Sequence, residues 1–513
     1  MISAYSGTAV RAAERPLLDE GAGAELMQLA AHGLYTAAAR LVKERRGRLY
    51  GSRCVVLAGA GNNGGDALYA AVRLLRRGCA ATAVLTSSSA HPEALAAFRT
   101  GGGRILALAE ENLDEALRLC GDADLVLDGI LGTGGKGGLR GPAAGLAALA
   151  PARLRRGQAP AVVACDLPSG IDADTGQAPG PHLSADLTVT FGALKAGLTA
   201  GPGAVASGRL EVVDIGISSY LGVPAVQRLL TPDIAALLPQ PAAGDQKYTR
   251  GVLGIAAGSE TYPGAAVLAT GAALATGTGM VRYLGPESVR RLINQTHPEA
   301  VCADSTVSLT HVQAWVAGPG AGTDEAQRRR AVDAMASGLP CVIDADALSA
   351  VEPGLGPQVI LSPHAGELSA LLGRLGESAA RAAIEADPLT WVQKAAELTG
   401  ATVLLKGWAT LVAAPDGGGV YSQAEATPWL ATAGSGDTLS GILGAMLSTG
   451  PESAPEPGYY ARVAAAAASI HGRAGTLAAR RGPVQPALLP EAVRQVISAI
   501  TQWRPGSGEA GIL

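Results

Sequence analysis

The sequence predicts a two-domain α/β protein, and three observations lead to that prediction. At 513 residues the chain is too long for one hydrophobic core. Short apolar runs alternate with longer helical patterns, which is typical of βαβ units around a parallel sheet. The pattern restarts after about residue 220. We therefore predict an N-terminal three-layer α/β domain over residues 1–225 and a C-terminal α/β domain over residues 226–513.

The predicted strands of the N-terminal half lack polar alternation, as expected when helices cover both faces of a sheet. They are Arg53–Ala58, Ala81–Leu85, Leu125–Leu127, Ala161–Ala164 and Leu187–Phe191. Helical patterns lie between several of them, at Asp66–Arg77 and Asn112–Cys120. In such a sheet, ligands bind at the carboxyl ends of the strands.

The C-terminal half shows the same alternation of predicted strands and helices, followed by a helical region. Its predicted strands are Val252–Ala257, Met280–Leu284, Trp315–Ala317, Cys341–Ile343, Val359–Leu361 and Val403–Leu405. Its last third is predicted to form helices at Asp437–Leu447, Tyr460–Arg480 and Pro490–Ile500. Pro239–Gly244 is the best linker candidate, with a domain boundary between residues 217 and 245.

The composition indicates a globular protein and argues against nucleic-acid-binding and membrane-spanning classes. The charged share of 16% and hydrophobic share of 48% suit a globular protein, and a net charge of -4 gives no electrostatic case for nucleic acid. Apolar stretches such as Val463–Ile470 are too short to span a bilayer, and Met1–Glu20 does not resemble a secretory signal. The six cysteines stand singly, as in a reducing cytoplasm. We predict a cytoplasmic protein without a nucleic-acid or membrane partner.

Three polar or glycine-rich loops follow predicted strands in the N-terminal half. They are Gly59–Asp66, Asp128–Gly138 and Asp166–Asp172. Glycines let the backbone approach a phosphate, and the start of a helix offers free N–H groups with a positive dipole end. A glycine-rich turn without a ligand is the alternative for each loop alone. Three such loops on one sheet edge favour a single binding site.

These loops, with the segment Leu26–Ala30, resemble the signature segments of NAD(P)H-hydrate epimerases over about residues 10–215. The resemblance implies a Rossmann-like fold and a substrate that is hydrated NADH or NADPH. It implies that the hydrate is bound by Asn62, Asn63, Gly64, Gly65, Asp66, Gly132, Thr133, Gly134, Gly135, Lys136, Gly137, Gly138 and Asp166. It also implies a potassium ion held by Asn63, Asp128 and Ser169.

Asp166 is the predicted catalytic residue of this half. Carbon 6 of the hydrate carries a hydroxyl and a ring nitrogen, so its configuration is lost if the ring opens there. A carboxylate placed at the nicotinamide can move the proton that this requires. The alternative is a turn or N-cap aspartate. Ala67 departs from the family, which usually has glycine there, and the change is harmless if the position is helical.

In the C-terminal half, the turn Gly434–Asp437 precedes a helix with small residues on one face. Consecutive N–H groups at a helix start form an anion hole for a phosphoryl group, and an aspartate there can take a proton from an attacking hydroxyl. The alternative is a helix capped by Ser435 or Asp437. The loops Lys406–Thr410, Ser362–Glu367 and Gly318–Gly322 each follow a predicted strand and favour the phosphoryl-transfer interpretation.

Together these segments resemble the ribokinase-like fold and, within it, the ADP-dependent NAD(P)H-hydrate dehydratases, over about residues 240–502. The resemblance implies that the hydrate contacts Ala265, Gly322, His364 and Asp437. It implies that ADP or AMP contacts Lys406, Gly407, Trp408, Ala409, Thr410 and Gly436. Asp437 is the predicted catalytic base, and Mg²⁺ is expected to offset the phosphate charge. Serine replaces the family's more frequent asparagine at Ser362 and keeps a hydrogen-bonding group.

The leading hypothesis is a bifunctional repair enzyme that uses ADP and hydrates of NADH and NADPH. The N-terminal domain would interconvert the R and S hydrates, and the C-terminal domain would dehydrate the S form, giving AMP and phosphate. Two alternatives remain open: a kinase for a stable alcohol, since the fold alone does not decide the substrate, and an N-terminal domain that only senses dinucleotides. Assembly into a homo-oligomer is a further expectation from the resemblance.

Overall fold

The computed structural model describes residues 1–149, 159–415, 417–451 and 456–504. The chain divides into two compact units, one from Ser3 to Ala225 and one that begins at Val226 and includes Met1 and Ile2. The linker candidate Pro239–Gly244 lies beyond this division, in exposed irregular chain that follows a short helix of the second unit.

The N-terminal unit is built on a parallel sheet with the strand order β4-β3-β2-β5-β6-β7-β9. The strands of this unit are β1 (Ile2–Tyr5), β2 (Arg53–Ala58), β3 (Ala80–Leu85), β4 (Arg104–Ala107), β5 (Leu125–Gly129), β6 (Ala161–Cys165), β7 (Leu187–Phe191), β8 (Leu194–Lys195) and β9 (Arg209–Val213). β1 pairs with β8 in parallel, outside the main sheet. The predicted strands are confirmed, while β1, β4, β8 and β9 were not predicted.

Helices cover both faces of this sheet, so the predicted three-layer arrangement is confirmed. They are α1 (Gly7–Asp19), α2 (Gly23–Arg46), α3 (Asn62–Arg76), α4 (Pro92–Thr100), α5 (Leu113–Gly121), α6 (Pro142–Gly145) and α7 (Gly201–Ala206). Neighbouring residues of one strand face different layers. Val56 packs with α2 and α3, whereas Val55 and Leu57 pack with α5. This explains why the central strands are apolar throughout.

The C-terminal unit has a sheet with the order β13-β12-β11-β14-β15-β16-β17-β18-β19-β10. Its strands are β10 (Val226–Arg228), β11 (Val252–Ala256), β12 (Met280–Leu284), β13 (Val301–Ala303), β14 (Ala314–Ala317), β15 (Cys341–Ile343), β16 (Val359–Leu361), β17 (Thr402–Leu405), β18 (Thr410–Ala413) and β19 (Val420–Gln423). The pairs from β13 to β17 are parallel, whereas β18 is antiparallel to both β17 and β19. The sequence analysis missed β10, β13, β18 and β19.

The helices of this unit surround the sheet and supply most of its core. They are α8 (Thr231–Leu237), α9 (Pro263–Thr276), α10 (Glu287–Thr296), α11 (Glu325–Ala336), α12 (Ala365–Arg374), α13 (Arg381–Ala386), α14 (Pro388–Thr399), α15 (Ser435–Ser448), α16 (Tyr459–Ala479) and α17 (Leu489–Thr501). A Cβ at Gly441 would lie 2.2 Å from the Ala269 carbonyl oxygen, so the small face of α15 permits its close contact with α9. Among the described residues, no helix is long and apolar enough to cross a membrane.

Candidate active sites

In the N-terminal unit, the glycine-rich loop connects β2 to α3 and touches the end of β5. A Cβ at Gly59 would lie 2.0 Å from the Ile130 carbonyl oxygen, so this position accepts only glycine. Helix α3 begins at Asn62 without a side chain capping its N-terminal amides, which leaves them available to an anion. Ala67 lies inside α3, is fully buried and does not adopt a positive φ. The expectation that this departure costs no backbone strain is confirmed.

Asn63, Asp128 and Ser169 converge beside Leu131. The Ser169 hydroxyl donates to Asp128 Oδ1 at 2.6 Å, and the Ser169 amide donates to Asp128 Oδ2 at 2.8 Å. The Leu131 amide donates to Ser169 Oγ at 2.9 Å, while Asn63 Nδ2 donates to the Leu131 carbonyl at 3.0 Å. Three residues that lie far apart in sequence therefore form one oxygen-rich cluster.

Asp128 is a fully buried carboxyl whose hydrogen-bond donors are neutral groups of Ser169 and Ile130. Burial raises its pKa to about 6, despite the opposing effect of these hydrogen bonds. Oxygen atoms without a cationic partner are the ligand set that a hard monovalent cation prefers. The residues present therefore fit the potassium ion that the resemblance implies.

Asp166 stands at the end of β6 in the left-handed region, with φ 67°. Its Oδ1 accepts hydrogen bonds from Lys195 Nζ at 2.5 Å and from Thr190 Oγ1 at 3.0 Å. Its Oδ2 accepts from the amide and the hydroxyl of Thr133. Burial alone would raise the pKa of Asp166, but the charge and hydrogen bond of Lys195 hold it below its ordinary value. Asp166 is therefore not an N-cap, and its strained backbone is held by a network of donors.

Lys195 is a residue that the sequence analysis did not single out. Its ammonium group is fully buried and donates to Asp166, to Thr190 Oγ1 at 3.0 Å and to the Phe191 carbonyl at 2.8 Å. The available signal was that a lysine, one of six in the chain, interrupts an apolar run.

Because its lone pairs already accept from these donors, Asp166 has little capacity to take a further proton. Its role in proton transfer stays a prediction, and the geometry favours a role as a charged anchor of the loop at Thr133.

Two more carboxyl groups lie near Asp166. Asp66 is buried, and its Oδ1 has no hydrogen-bond partner among the described residues. Burial, followed by the charges of Asp166 and Glu14, raises the pKa of Asp66 well above its ordinary value. Burial also raises the pKa of Glu14, which belongs to α1 and was not predicted to take part. Arg11, one turn earlier, donates to the Thr133 carbonyl at 2.6 Å. Helix α1 therefore contributes to this site.

Among the described residues, Thr133 is the member of the loop Gly132–Gly138 that hydrogen-bonds to Asp166. The Gly135 amide donates to the Gly132 carbonyl at 2.8 Å and closes a tight turn. Gly134 and Lys136 are exposed at the tip of the loop. A Cβ at Gly138 would lie 2.7 Å from the Gly180 Cα, so packing also requires glycine there.

In the C-terminal unit, the turn before α15 offers unpaired amides. Gly434 is left-handed with φ 92°, and no side chain caps the helix. The Ser435 amide donates to the Thr432 carbonyl at 3.3 Å, so it does not belong to the predicted anion hole. In the described part of the chain, nothing accepts a hydrogen bond from the amides of Gly436 and Asp437. The capped-helix alternative is therefore wrong, and the anion hole consists of two consecutive amides.

The partly exposed Lys406 and the buried Asp344 form an ion pair beside this turn. Lys406 Nζ lies 2.6 Å from Asp344 Oδ1 and 3.7 Å from Glu367 Oε2. Burial lowers the pKa of Lys406, but the charges of Asp344 and Glu367 outweigh it and raise that pKa overall. A Cβ at Gly436 would stand 3.6 Å from Lys406 Nζ. Lys406 is therefore a positive charge held by two carboxylates beside the unpaired amides.

Asp437 is the carboxyl at the mouth of this site. Burial and the neighbouring charge of Asp344 raise its pKa to about 6, and Lys406 acts in the opposite direction. Asp344 was not predicted as a site residue. Its Oδ2 also accepts a hydrogen bond from Ser440 Oγ at 2.7 Å, which ties it to α15.

The predicted hydrate contacts lie at neighbouring strand ends. His364 caps α12, because its Nδ1 accepts from the amides of Gly366 and Glu367 at 3.0 and 3.1 Å, while the side chain remains 58% exposed. The Gly322 amide donates to Asp346 Oδ2 at 2.7 Å. Ala265 lies in the first turn of α9, against Gly320. His364 therefore caps α12, and this structural role is additional to its predicted contact with the hydrate.

The predicted nucleotide loop connects β17 to β18. Within this loop, Lys406 forms the ion pair with Asp344. Trp408 is 45% exposed, and Ala409 is buried. Thr410 begins β18, so the end of the loop is fixed by a strand that the sequence analysis had not predicted. The Lys406 amide donates to the Pro363 carbonyl at 2.9 Å and holds this loop beside that of His364.

Comparison with known proteins shows that two regions of the chain match known protein families. A family model described as NAD(P)H-hydrate dehydratase matches residues 253–498, and one described as YjeF-related protein N-terminus matches residues 23–197. The bifunctional NAD(P)H-hydrate repair enzyme of Mycobacterium tuberculosis is 43% identical over 458 residues, which cover 87% of this chain and 89% of that protein. The enzyme of the same name from Moorella thermoacetica is 36% identical and covers 92% of each chain.

A solved structure is similar to part of the chain. The ADP/ATP-dependent NAD(P)H-hydrate dehydratase of Bacillus subtilis, co-crystallised with ATP and Mg²⁺, is 27% identical. The match covers 54% of this chain and 99% of the Bacillus subtilis chain, and its TM-score is 0.48.

Proposed function

The chain belongs to the family of bifunctional NAD(P)H-hydrate repair enzymes, and on that basis we propose that it restores NADH and NADPH from their hydrates. The N-terminal domain epimerises the R and S hydrates. The C-terminal domain dehydrates the S form with ADP as co-substrate, releasing AMP and phosphate. The observation that carries the proposal is the free amide pair of Gly436 and Asp437 beside the ion-paired Lys406 and the carboxyl of Asp437.

In the N-terminal domain, epimerisation proceeds by opening the ring at carbon 6. The hydroxyl passes its proton to a carboxylate of the site, for which Asp166 remains our prediction. The bond from carbon 6 to the ring nitrogen breaks, and the carboxylate gives that proton to the nitrogen. Closure on the other face of the resulting aldehyde inverts the centre. The amides at the start of α3 and the loop at Thr133 hold the anionic dinucleotide. Asn63, Asp128 and Ser169 would hold K⁺, whose charge offsets the buried Asp128 and attracts the phosphates.

In the C-terminal domain, hydroxide is a poor leaving group, so the hydroxyl is first phosphorylated. Asp437 takes the hydroxyl proton while the oxygen attacks the β-phosphorus of ADP, and AMP leaves. The amides of Gly436 and Asp437, together with Lys406, stabilise the charge on the transferring group. Mg²⁺ would enter with the nucleotide and neutralise its diphosphate. The ring nitrogen then expels phosphate, and loss of a proton from carbon 5 completes the dihydropyridine.

The remaining assignments follow the same proposal. Ala265, Gly322 and His364 contact the hydrate, and Gly407, Trp408, Ala409 and Thr410 contact the nucleotide. The six cysteines are free thiols, which suits the reducing cytoplasm in which we place the reaction. Assembly into a homo-oligomer stays a prediction.

The proposal is tested with the purified chain, a mixture of NADH hydrate epimers, Mg²⁺ and either ADP or ATP. The dihydropyridine absorbance should return in full, and faster with ADP. An absence of recovery with both nucleotides would rule out the dehydratase. Recovery of the S fraction alone, followed by a phase at the uncatalysed rate, would rule out the epimerase.

Potassium dependence is a separate expected result. When tetramethylammonium replaces K⁺, the rate of epimerisation should fall, because the buried Asp128 loses its counter-charge. Asp128→Asn should lower that rate by about 10- to 100-fold in K⁺ buffer. Dehydration of purified S hydrate is the internal control and should not change. Equal epimerisation rates in the two buffers would contradict the potassium assignment.

The pH dependence of dehydration follows from Asp437. Its pKa is raised to about 6, so below that pH the carboxyl is increasingly protonated and cannot accept the hydroxyl proton. We expect kcat/KM for the S hydrate to fall about tenfold per pH unit below 6 and to be level above 7. Initial rates between pH 5 and 8 measure this. A rate that stays level down to pH 5 would show that Asp437 is not the base.

A further inference from the structure

The Gly434–Asp437 turn contacts α16 through Ser435. His471 Nε2 of α16 lies 3.2 Å from Ser435 Oγ, and both residues are more than nine-tenths buried. Neither residue belongs to the predicted binding set, and the mechanism above does not use either side chain. A buried imidazole paired with a buried hydroxyl at the first position of the catalytic helix calls for an explanation.

The same helix also holds the segment that leads into the turn. Ser469 Oγ donates to Glu425 Oε1, and Thr476 Oγ1 donates to the Glu425 carbonyl, each at 2.7 Å. Gly472 permits close contact, since a Cβ there would lie 3.0 Å from the Ala426 amide nitrogen. α16 therefore contacts this segment at several points, and its His471 contacts the turn itself through Ser435.

His471 is neutral at physiological pH. Burial lowers its pKa to about 4, and the nearby charge of Lys406 acts in the same direction, against the hydrogen bond with the Ser435 main chain. A neutral imidazole can hold the hydroxyl in one geometry without adding a charge that competes for the phosphoryl group. The Ser435 amide is bound to Thr432, so Ser435 is fixed at both its amide and its side chain.

We infer that His471 is a positioning residue for phosphoryl transfer, acting through Ser435 on the amides of Gly436 and Asp437. Ser435 is the residue immediately before this amide pair, so its orientation sets the direction in which both N–H groups point. An anion hole stabilises the transition state only when its donors are fixed beforehand. The inference rests on the proposed function, because it assigns His471 to that same reaction.

Four variants and a control test the inference in the full chain with S hydrate, ADP and Mg²⁺. They are His471→Ala, His471→Gln, Ser435→Ala and the double variant Ser435→Ala/His471→Ala. His471→Ala should lower kcat by at least about tenfold and change KM for the hydrate by less than about threefold, since the amides act on the transition state. His471→Gln, which can still reach Ser435, should recover most of kcat. The control Ser448→Ala removes a buried hydroxyl at the other end of α15, where Ser448 bonds Thr278 at 3.0 Å.

The double variant gives the decisive readout. If His471 acts through Ser435, the double variant should have the same kcat as Ser435→Ala, because the His471 side chain then has no hydroxyl to position. The inference is overturned if the two effects multiply, or if His471→Ala lowers only the melting temperature, as Ser448→Ala is expected to do. It is also overturned if His471→Gln is no better than His471→Ala. A wild-type chain that returns no NADH would overturn the proposed function and this inference together, whereas an active wild type with multiplying effects would overturn the inference alone.

Discussion

Asp437→Asn is expected to lower the rate of NADH recovery from S hydrate by about 10²- to 10⁴-fold, the range lost when a general base is removed. Asparagine keeps the size of the side chain and the amides of the turn, but it cannot accept the hydroxyl proton. The substitution also removes a charge that opposes Asp344, so the fold should not suffer. Initial rates at saturating ADP measure the effect.

The matched control is Asp333→Asn, which removes an exposed carboxylate on α11 of the same unit. Its rate should equal that of the wild type. Epimerisation by the Asp437→Asn variant should also be unchanged, because that reaction belongs to the other domain. Recovery by Asp437→Asn within twofold of the wild type would show that another group is the base.

Lys195→Met is expected to destabilise the N-terminal unit by about 3–5 kcal/mol, because it leaves the buried Asp166 carboxylate without its cation. The side chains of this pair are 1% and 8% exposed, so water cannot take the place of the ammonium group. Urea unfolding of the full chain should show an earlier transition for this unit. Dehydration of purified S hydrate should persist, since it depends on the other unit.

Two variants separate this effect from general damage. Lys43→Met removes an exposed lysine of α2 and should leave the unfolding transition unchanged. The double variant Lys195→Met/Asp166→Asn removes both charges and should recover part of the lost stability, since asparagine tolerates the left-handed backbone of that position. If Lys195→Met unfolds at the wild-type urea concentration, the ion pair does not stabilise the unit.

The loops of both sites could be predicted from sequence because each lies where an apolar strand ends. Asn63, Asp128 and Ser169 meet for this reason, since β2, β5 and β6 are neighbours in a parallel sheet. The apolar strands were predictable for the same reason, because burial on both faces leaves a continuous hydrophobic run.

The partners of the charged groups could not be predicted in this way. Lys195 meets Asp166 through β8, a strand of two residues with no hydrophobic period of its own. Lys406 meets Asp344 across two strand ends that are 62 residues apart. The strands β18 and β19 were missed because each has four residues and pairs antiparallel with the strand before it, which departs from the βαβ pattern used to predict the other strands. Ser435 looked like a helix cap, and only the structure shows that its hydroxyl turns to His471.

The C-terminal site is proposed to phosphorylate the hydroxyl of carbon 6 in order to expel it, and a single isotope measurement tests this step directly. S hydrate carrying ¹⁸O in that hydroxyl should be converted with ADP and Mg²⁺, and the released phosphate analysed by mass spectrometry. Because the oxygen bonds to phosphorus before its bond to carbon breaks, the label should appear in phosphate, with one phosphate and one AMP per NADH. Unlabelled phosphate, with the label in water, would contradict the account.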